Sequence, residues 1–418
     1  MSERLNNLIS EAFLPYPPER IGVAVSGGGD SMALLDLLQI FCTAEGITLH
    51  AATVDHGLRE GSAEEAAIVA DQCKRIGIAH ETLLWKDWTG EGNLQAEARK
   101  ARYALLARWA QGLGIDTVAL GHTADDQAET VLMRLARRAG VDGLSAMRAR
   151  RVREGITWVR PLLSVRRRAL RTYLRAKGID WIEDPSNEDQ IFDRIKARQA
   201  LAALAPLEID VEGLCEVADQ LRQAREALEW QTFITAQKAV TLPAGAVVIG
   251  EKLFETEPAE IRRRLFVRAL NWVSGSAYPP RRAAVSAVIC QVARGQAGTT
   301  DGCHVRRIGG AIWVFRELNA VRSVACPLDK LWDNRWRITP PEKLGDAAGL
   351  EIRALGEEGL LQCPDWRETA VPRVVLLSSP AVWRDDALVA APLAGKGENW
   401  HAEVKNGEDA FFATLLSH

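Results

Sequence analysis

A phosphate-binding loop is predicted from one stretch of the chain, Val23-Ala24-Val25-Ser26-Gly27-Gly28-Gly29-Asp30-Ser31. An apolar run that enters glycines and continues as an amphipathic stretch is typical of a buried strand, a tight turn and a helix. Glycines let the backbone approach a phosphate closely, and the helix N-terminus attracts an anion. We therefore expect Ser26, Gly27, Gly28, Gly29, Asp30 and Ser31 to bind a phosphate group.

Asp30 would repel a phosphate, so its place in this loop needs a second explanation. A carboxylate can hold a divalent cation that bridges phosphate groups, and Mg2+ is the ion usually found with them. The sequence therefore predicts Mg2+ at Asp30. An ordinary glycine-rich turn with a serine helix cap is the alternative. The loop matches neither G-x-x-x-x-G-K-[ST] nor G-x-G-x-x-G.

Strand and helix patterns alternate through the first 140 residues. The predicted strands are 21–25, 47–54, 80–84 and 117–120, and the predicted helices are 31–42, 62–76, 94–111 and 124–138. This rhythm predicts an α/β fold, Rossmann-like, with a parallel sheet and helices on both faces. Ligands bind beyond the carboxyl ends of such strands, so 26–31, 55–59 and 121–126 should share one rim.

The pattern changes after Pro206. Long helical patterns at 209–237, 258–274 and 281–292 precede a short strand at 313–316 and strand-like pieces at 374–377 and 388–391. We predict a helical middle domain and a small β-containing C-terminal domain, with boundaries 1–205, 206–325 and 326–418. The tryptophans of the tail are interpreted as core residues rather than a stacking surface: Trp332, Trp336, Trp366, Trp383 and Trp400.

Composition excludes several classes of protein. No run of eighteen apolar residues exists, so no membrane span is expected, and the first residues lack the pattern of a secretory signal. The seven cysteines show no C-x-x-C spacing, which favours free thiols in a cytoplasmic protein over disulfides or zinc.

The positive charge of the chain is concentrated in one segment. From Arg134 to Lys177 there are thirteen arginines and one lysine against two acidic residues. Such a block is typical of a surface that binds a polyanion, although a solvated face is the alternative. With Trp158 and Tyr173 interleaved, the stretch from Arg148 to Arg175 fits binding of a nucleic-acid backbone.

A second acidic group follows the fourth strand. Asp126 and Glu129 share a helix face, and Asp125 precedes them at the helix N-terminus, where the helix dipole favours carboxylates. We expect Asp126 to join Asp30 as a metal ligand, and this face to attract an ammonium group or serve as a base. The residues leave these roles undivided, and simple helix capping is the alternative.

Other residues of the rim are basic or can titrate. Arg99 and Arg102 lie three apart on a helix and fit contacts with ATP phosphates or a nucleic-acid backbone, or else form an exposed basic face. His56 and His122 each end a strand, and we expect them to contact a nucleotide rather than a metal. Asp55 should lie near the adenine or ribose.

Several motifs together resemble the tRNA(Ile)-lysidine synthetases, a family of pyrophosphate-loop enzymes. They are Ser26–Ser31, Asp55-His56-Gly57-Leu58-Arg59, 93–103, 120–134, Arg160-Pro161-Leu162-Leu163 and Asp184-Pro185-Ser186-Asn187. The resemblance covers nearly the whole chain. Three departures are Arg138 where the family commonly has glycine, Ile195 where it has asparagine, and Arg353-Ala354-Leu355-Gly356 in place of a lysine-rich segment.

The resemblance implies a ligase that uses ATP and Mg2+. It would adenylate the wobble cytidine of tRNA(Ile) with a CAU anticodon, join L-lysine through its ε-amine to form lysidine, and release AMP and pyrophosphate. Catalytic roles would fall to Asp30, Arg99, Asp126 and Glu129, and nucleotide binding to the loop with Asp55 and His56. Residues 206–325 would recognise the tRNA and 326–418 would bind it, with a homodimer left open.

Three other readings remain open on the sequence. A pyrophosphate-loop thiolase would also modify tRNA, but it needs paired cysteines. A small-molecule synthetase of the GMP or NAD kind does not account for the arginine block. An inactive tRNA-binding module would have kept the fold alone, and it would show no ATP–pyrophosphate exchange.

Overall fold

The computed structural model describes residues 2–57, 61–86, 94–183, 193–276, 278–342 and 347–416. The chain divides into two compact units, which meet in the sequence between Arg225 and Glu226. The boundaries at 205 and 325 stay predictions. No helix among the described residues is long and apolar enough to cross a membrane.

The N-terminal unit is the predicted α/β fold. Its strands are β1 Arg20–Ala24, β2 Thr48–Asp55, β3 Ala79–Leu84, β4 Thr117–Leu120, β5 Arg150–Arg153 and β6 Ile156–Val159. Its helices are α1 Ser2–Phe13, α2 Gly29–Glu45, α3 Ser62–Arg75, α4 Leu94–Gly112, α5 Ala124–Ala136, α6 Val141–Leu144, α7 Arg167–Lys177 and α8 Asp193–Leu204, and α9 Val211–Ala239 begins in it.

The six strands form one sheet in the order β3-β2-β1-β4-β6-β5. All neighbours are parallel except β5, which pairs antiparallel with β6 and forms one edge. The strand order reverses between β1 and β4, because β2 and β3 lie on one side of β1 and β4 on the other. A crevice at such a switch point is where ligands bind in open α/β sheets.

Alternate residues of the strands pack against helices on opposite faces of the sheet. Ile21 and Val23 of β1 join a core with α1, α2 and α7, whereas Ala24 joins a second core with Leu106 and Trp109 of α4. This alternation follows from the two-residue period of a strand. Covering both faces fixes the strand ends, and thereby the rim of the predicted site, on a rigid support.

The C-terminal unit contains more strand than the sequence analysis predicted. Its helices are the rest of α9, α10 Glu251–Thr256, α11 Ala259–Ser274, α12 Arg282–Ala293, α13 Leu318–Val321, α14 Gly356–Leu361, α15 Arg373–Leu376 and α16 Glu408–Leu415. Its strands are β7 Val240–Thr241, β8 Val247–Gly250, β9 Gly298–Thr300, β10 Cys303–Ile308, β11 Ala311–Arg316, β12 Cys326–Pro327, β13 Trp336–Thr339, β14 Leu350–Ala354, β15 Pro380–Arg384, β16 Ala387–Ala390 and β17 His401–Val404.

These strands form antiparallel sheets of five, four and two strands. The five-stranded sheet lies in the middle of the chain. Its strands are too short to show a clear alternation of apolar and polar residues, so the sequence analysis predicted mainly the long helices there. The predicted strand at 374–377 is wrong, because 374–376 belong to α15, which starts directly after Pro372, and Leu377 caps the end of this helix. A short apolar run does not distinguish a strand from a buried helical turn.

The tryptophans of the tail form a core, as predicted. Trp332, Trp336, Trp383 and Trp400 are buried, and Trp366 packs partly buried against the same region. Aromatic side chains bury large areas, so these residues stabilise a part of the C-terminal unit in which strands and helices are short.

Arg138 adopts a conformation that suits glycine. It follows the end of α5 with a φ of 56° and lies in the left-handed region. This conformation strains a residue with a Cβ by roughly 1–2 kcal/mol, whereas glycine adopts it freely. The glycine that the resemblance implies at this position thus has a backbone explanation.

We expect Arg138→Gly to stabilise the protein by up to about 1 kcal/mol, the relief of strain being partly offset by a more flexible unfolded chain. Urea denaturation measures the change. Arg137→Gly is the matched control, since it removes the same charge one residue earlier, at a φ of −87°. It should be destabilising, and equal effects of the two substitutions would contradict the argument.

Candidate active site

The predicted phosphate loop follows β1, and two serines hold its shape. Ser31 Oγ accepts a hydrogen bond from the Ser26 amide at 3.1 Å and donates one to the Gly28 carbonyl at 2.9 Å. Helix α2 begins at Gly29, so its first amides have no acceptor within the helix. Amides in this position bind anions, and the geometry is compatible with the predicted phosphate binding.

Two glycines allow close packing around this loop. Gly27 has a φ of 81°, and a Cβ there would lie 2.6 Å from Ile182 Cδ1. The Ile182 amide donates to the Gly27 carbonyl at 2.9 Å, so the segment after α7 is attached to the loop. On the other side, a Cβ on Gly121 would lie 3.1 Å from the Asp30 carbonyl oxygen. The end of β4 therefore touches the loop backbone.

Three carboxylates meet beside the loop, and we call Asp30, Asp126 and Glu129 the acid group. The guanidinium group of Arg167 contacts all three. Arg167 Nε lies 2.9 Å from Asp30 Oδ2, Nη2 lies 3.2 Å from Asp126 Oδ1, and Nη1 lies 3.7 Å from Glu129 Oε1. The structure thus brings together three of the four residues predicted to be catalytic.

Asp126 also caps its own helix. Its Oδ2 accepts hydrogen bonds from the Thr123 amide and the Thr123 hydroxyl, both at 2.8 Å. The capping alternative is therefore correct for this oxygen, while Oδ1 faces Arg167. Burial raises the pKa of Asp126, but Arg167 and the Thr123 hydrogen bonds outweigh it and hold the pKa below its ordinary value.

Glu129 is almost fully buried and has a second arginine partner. Its Oε1 accepts from Arg198 Nε at 2.6 Å, and the residue is 1% exposed. Burial raises the pKa of Glu129 and also that of Asp30, in spite of their arginine partners. These two carboxylates therefore hold protons more readily than exposed carboxylates do.

Each of these two carboxylates has one oxygen that still lacks a partner. Asp30 Oδ1 and Glu129 Oε2 are buried and make no hydrogen bond. Buried polar atoms of this kind are available to bind a ligand. No three His, Cys, Asp or Glu residues in the described part of the chain are arranged to hold a metal among themselves. The neighbouring carboxylates of Asp30 and Asp126 suit Mg2+, which usually completes its shell with water and substrate phosphates.

The two histidines of the rim each carry an unpartnered nitrogen. His56 Nδ1 and His122 Nδ1 are buried and make no hydrogen bond. The His56 ring packs edge-on against Trp85, with centroids 5.6 Å apart. Asp55, by contrast, uses Oδ1 to accept from the Gly57 amide at 2.8 Å. The histidines thus have free hydrogen-bonding capacity, and Asp55 has a turn-forming contact of its own.

Arg99 lies apart from the acid group. Its Nη2 donates to the Tyr103 hydroxyl at 3.5 Å, and Arg160 Nη2 approaches the same hydroxyl at 3.5 Å. Burial raises the pKa of Tyr103, but the positive charges of Arg99, Arg160 and the half-buried Arg102 outweigh it and lower the pKa below its ordinary value. These arginines form a positive group on the α4 side of the site.

Only some arginines of the arginine-rich segment lie on the surface. Arg160 is buried, Arg166 pairs with Asp125 and Glu212, and Arg167 pairs with the acid group. Trp158 and Tyr173 are buried as well, so neither can stack on a base. The arginines of the segment from 148 to 175 that remain exposed are Arg150, Arg151, Arg168 and Arg175.

Sequence reasoning missed Arg167 and Arg198 as members of the site. A buried acid group requires positive partners, which could have prompted a search for buried arginines. Arg167 is the middle one of three consecutive arginines, and the sequence pattern does not indicate which of their side chains contacts the acid group. Leu58, Arg59, Asn93 and Asp184-Pro185-Ser186-Asn187, which belong to the predicted motifs, lie outside the described residues.

His122 should make stability depend on pH. Burial and the nearby Arg160 lower its pKa to about 3. The pKa of an unfolded histidine is about 6.5. Between these two values the unfolded chain binds a proton that the folded chain does not bind, so the free energy of unfolding decreases as the pH is lowered. His122→Asn should therefore lose about 1 kcal/mol less stability than the wild type between pH 7 and 5.5 in urea denaturation.

The exposed His401 provides the control for this measurement. His401→Asn should follow the wild type at both pH values. Identical pH dependence in the wild type and His122→Asn would contradict the expected effect of burial.

Comparison with known proteins places this site in a family. Residues 1–205 match the family model described as the PP-loop domain. A tRNA(Ile)-lysidine synthase from Ruegeria pomeroyi is 51% identical over 417 residues, covering 100% of this chain and 99% of its own. One from Wolbachia pipientis wMel is 34% identical, over 77% of each chain. The chain belongs to the tRNA(Ile)-lysidine synthase family.

Proposed function

We propose that the protein uses ATP to join L-lysine to the wobble cytidine of a tRNA(Ile) with a CAU anticodon, forming lysidine. The observation that carries this proposal is the phosphate loop beside an acid group, in a chain that is 51% identical along its whole length to a tRNA(Ile)-lysidine synthase. Since ATP and tRNA are the substrates, we place the reaction in the cytoplasm.

In the first step the carbonyl oxygen of the cytidine attacks the α-phosphorus of ATP. The bond to the β-phosphate breaks and pyrophosphate leaves. The amides at the start of α2 and the hydroxyl groups of Ser26 and Ser31 would hold the departing phosphates. Asp30 and Asp126 would hold Mg2+, which when bound neutralises charge on the phosphates. His56 and His122 have the free nitrogens to contact the nucleotide.

In the second step the ε-amine of lysine attacks the carbon that carries the activated oxygen. The carbon–oxygen bond breaks and AMP leaves, so a difficult substitution becomes two easier ones. The ammonium group must first lose a proton. We assign this proton to Glu129, whose Oε2 is buried without a partner and whose pKa is raised by burial.

Recognition of the tRNA would use exposed cations on both units. On the N-terminal unit these are Arg150, Arg151, Arg168 and Arg175. On the C-terminal unit Arg263 pairs with Glu260 and Arg307 with Glu251, so the exposed Arg281 and Arg282 are better candidates for phosphate contacts. We propose that residues 206–418 hold and select the tRNA.

The thiolase alternative has weaker support. Cys42, Cys73, Cys303 and Cys363 are buried, and burial raises the pKa of each thiol. A thiolase needs reactive, paired cysteines beside the loop. The acid group, with oxygens free to bind a cation and an ammonium group, instead favours ligation of an amine.

Labelled lysine should enter tRNA(Ile) only when ATP is also present. AMP and pyrophosphate should accumulate in equal amounts, because the α-phosphorus is attacked. Nucleoside mass analysis and nucleotide chromatography measure the products, and a tRNA with a different wobble base is the control. ADP as the nucleotide product would contradict adenylation, and ATP–pyrophosphate exchange without lysine incorporation would favour a different nucleophile.

Asp30→Asn should lower turnover by at least about a hundredfold, because it removes a charge from the cation site. Its affinity for tRNA should stay close to that of the wild type, as measured by filter binding. Glu45→Gln, which removes a carboxylate from the exposed end of the same helix, is the control and should be active. Normal turnover by Asp30→Asn would overturn the metal assignment.

A further inference from the structure

Arg167 occupies the place at which the acid group would bind a cation. Its guanidinium group contacts Asp30 Oδ2 at 2.9 Å and Asp126 Oδ1 at 3.2 Å, which are the two carboxylates we assign to Mg2+. An arginine keeps its charge at any physiological pH, so the contact persists whenever the site holds no other cation.

The backbone of Arg167 is held in place at the start of a helix. Arg167 is the first residue of α7, and its amide donates to Asp125 Oδ2 at 2.7 Å. The side chain donates hydrogen bonds to Asp30 and Asp126 within its ion pairs, and it is 23% exposed. Long side chains change rotamer quickly, whereas the capped helix end stays where it is.

The neighbouring arginines do not share this position. Arg166 pairs with Asp125 and Glu212. Arg168 has a side chain 79% exposed, with its nitrogen 3.8 Å from Glu212. Of the three consecutive arginines, the middle one alone contacts Asp30 and Asp126. The inward position of Arg167 is therefore a specific feature and not a general property of a basic run.

A guanidinium group matches two kinds of partner in this site. It binds carboxylates in the free enzyme, and the same planar donors bind phosphate oxygens well. The phosphate loop contains Asp30 itself, so a nucleotide bound there would bring its phosphates within reach of this side chain. A divalent cation on the two carboxylates would compete with Arg167 and leave its donors free.

We propose that Arg167 exchanges partners during the reaction. In the free protein it neutralises Asp30 and Asp126. When ATP binds together with a divalent cation, the guanidinium group leaves these carboxylates and donates to the phosphates that become pyrophosphate. It returns when product and cation have left. This inference rests on the proposed cation site, and it makes tight cation binding conditional on the nucleotide.

Binding calorimetry on the full-length protein tests this exchange without relying on activity. Two titrations are compared, MgCl2 alone and MgCl2 with a non-hydrolysable ATP analogue. Arg167→Gln removes the competing charge and the phosphate donor together. It should bind Mg2+ alone about tenfold more tightly than the wild type, and the Mg2+–nucleotide complex about tenfold more weakly.

Arg168→Gln is the matched control, because it removes the same charge from the next residue of the same helix. It should leave both affinities unchanged. Arg167→Lys retains one charge without the planar fork, so it should shift both affinities in the same directions by smaller factors. If Arg167→Gln does not fold, as judged by circular dichroism, the lysine variant decides the question.

The exchange is supported if Arg167→Gln raises the affinity for Mg2+ alone and lowers the affinity for the Mg2+–nucleotide complex. Tighter binding of both ligands would show that Arg167 only competes with the cation and never contacts phosphate. Weaker binding of both would show that it only holds the site together, and either result overturns the inference. Asp30→Asn tests the proposed cation site separately from the exchange. Unchanged Mg2+ binding in that variant would show that Asp30 does not bind the cation.

Discussion

The site depends on neutralising three carboxylates at the edge of a parallel sheet. Asp30 belongs to α2, and Asp126 and Glu129 belong to α5, while their partners Arg167 and Arg198 belong to α7 and α8. Charges of this kind are costly to bury unless they are paired. The same ion pairs therefore fasten four helices around the loop, and the chemistry of the site and the packing of the unit have a common origin.

The site combines positive and negative side chains, which suits the proposed substrates. A polyanionic tRNA and a triphosphate both need positive partners, whereas an incoming ammonium group needs negative ones. Arg102 and Arg160 lie near His122, and Asp126 lies close to the same ring. A carboxylate group without Arg167 would repel the nucleotide, so a counter-charge within the protein is required before the substrates arrive.

The sequence predicted those parts of the fold that repeat along the chain. The alternation of strands and helices gave the sheet, and a glycine-rich turn after β1 gave the loop. Contacts between distant segments could not be read in this way. The inward direction of Arg167 depends on where α7 begins, and the second role of Asp126 depends on the hydroxyl of Thr123. The roles assigned to the site residues, those of Arg99, Asp55 and His56 included, remain predictions.

Gly27 illustrates how a loop mutation can be misread. In a selection for active variants, the loss of a glycine from this loop would be attributed to poor nucleotide binding. Any side chain at position 27 would also collide with Ile182, whose amide holds the following segment against the loop. Such a variant could still bind ATP yet fail because the segment that contains Ile182 no longer packs against the loop. Loss of activity on substitution of Gly27 therefore reflects the packing of two chain segments, the loop and the segment that contains Ile182, as well as nucleotide binding.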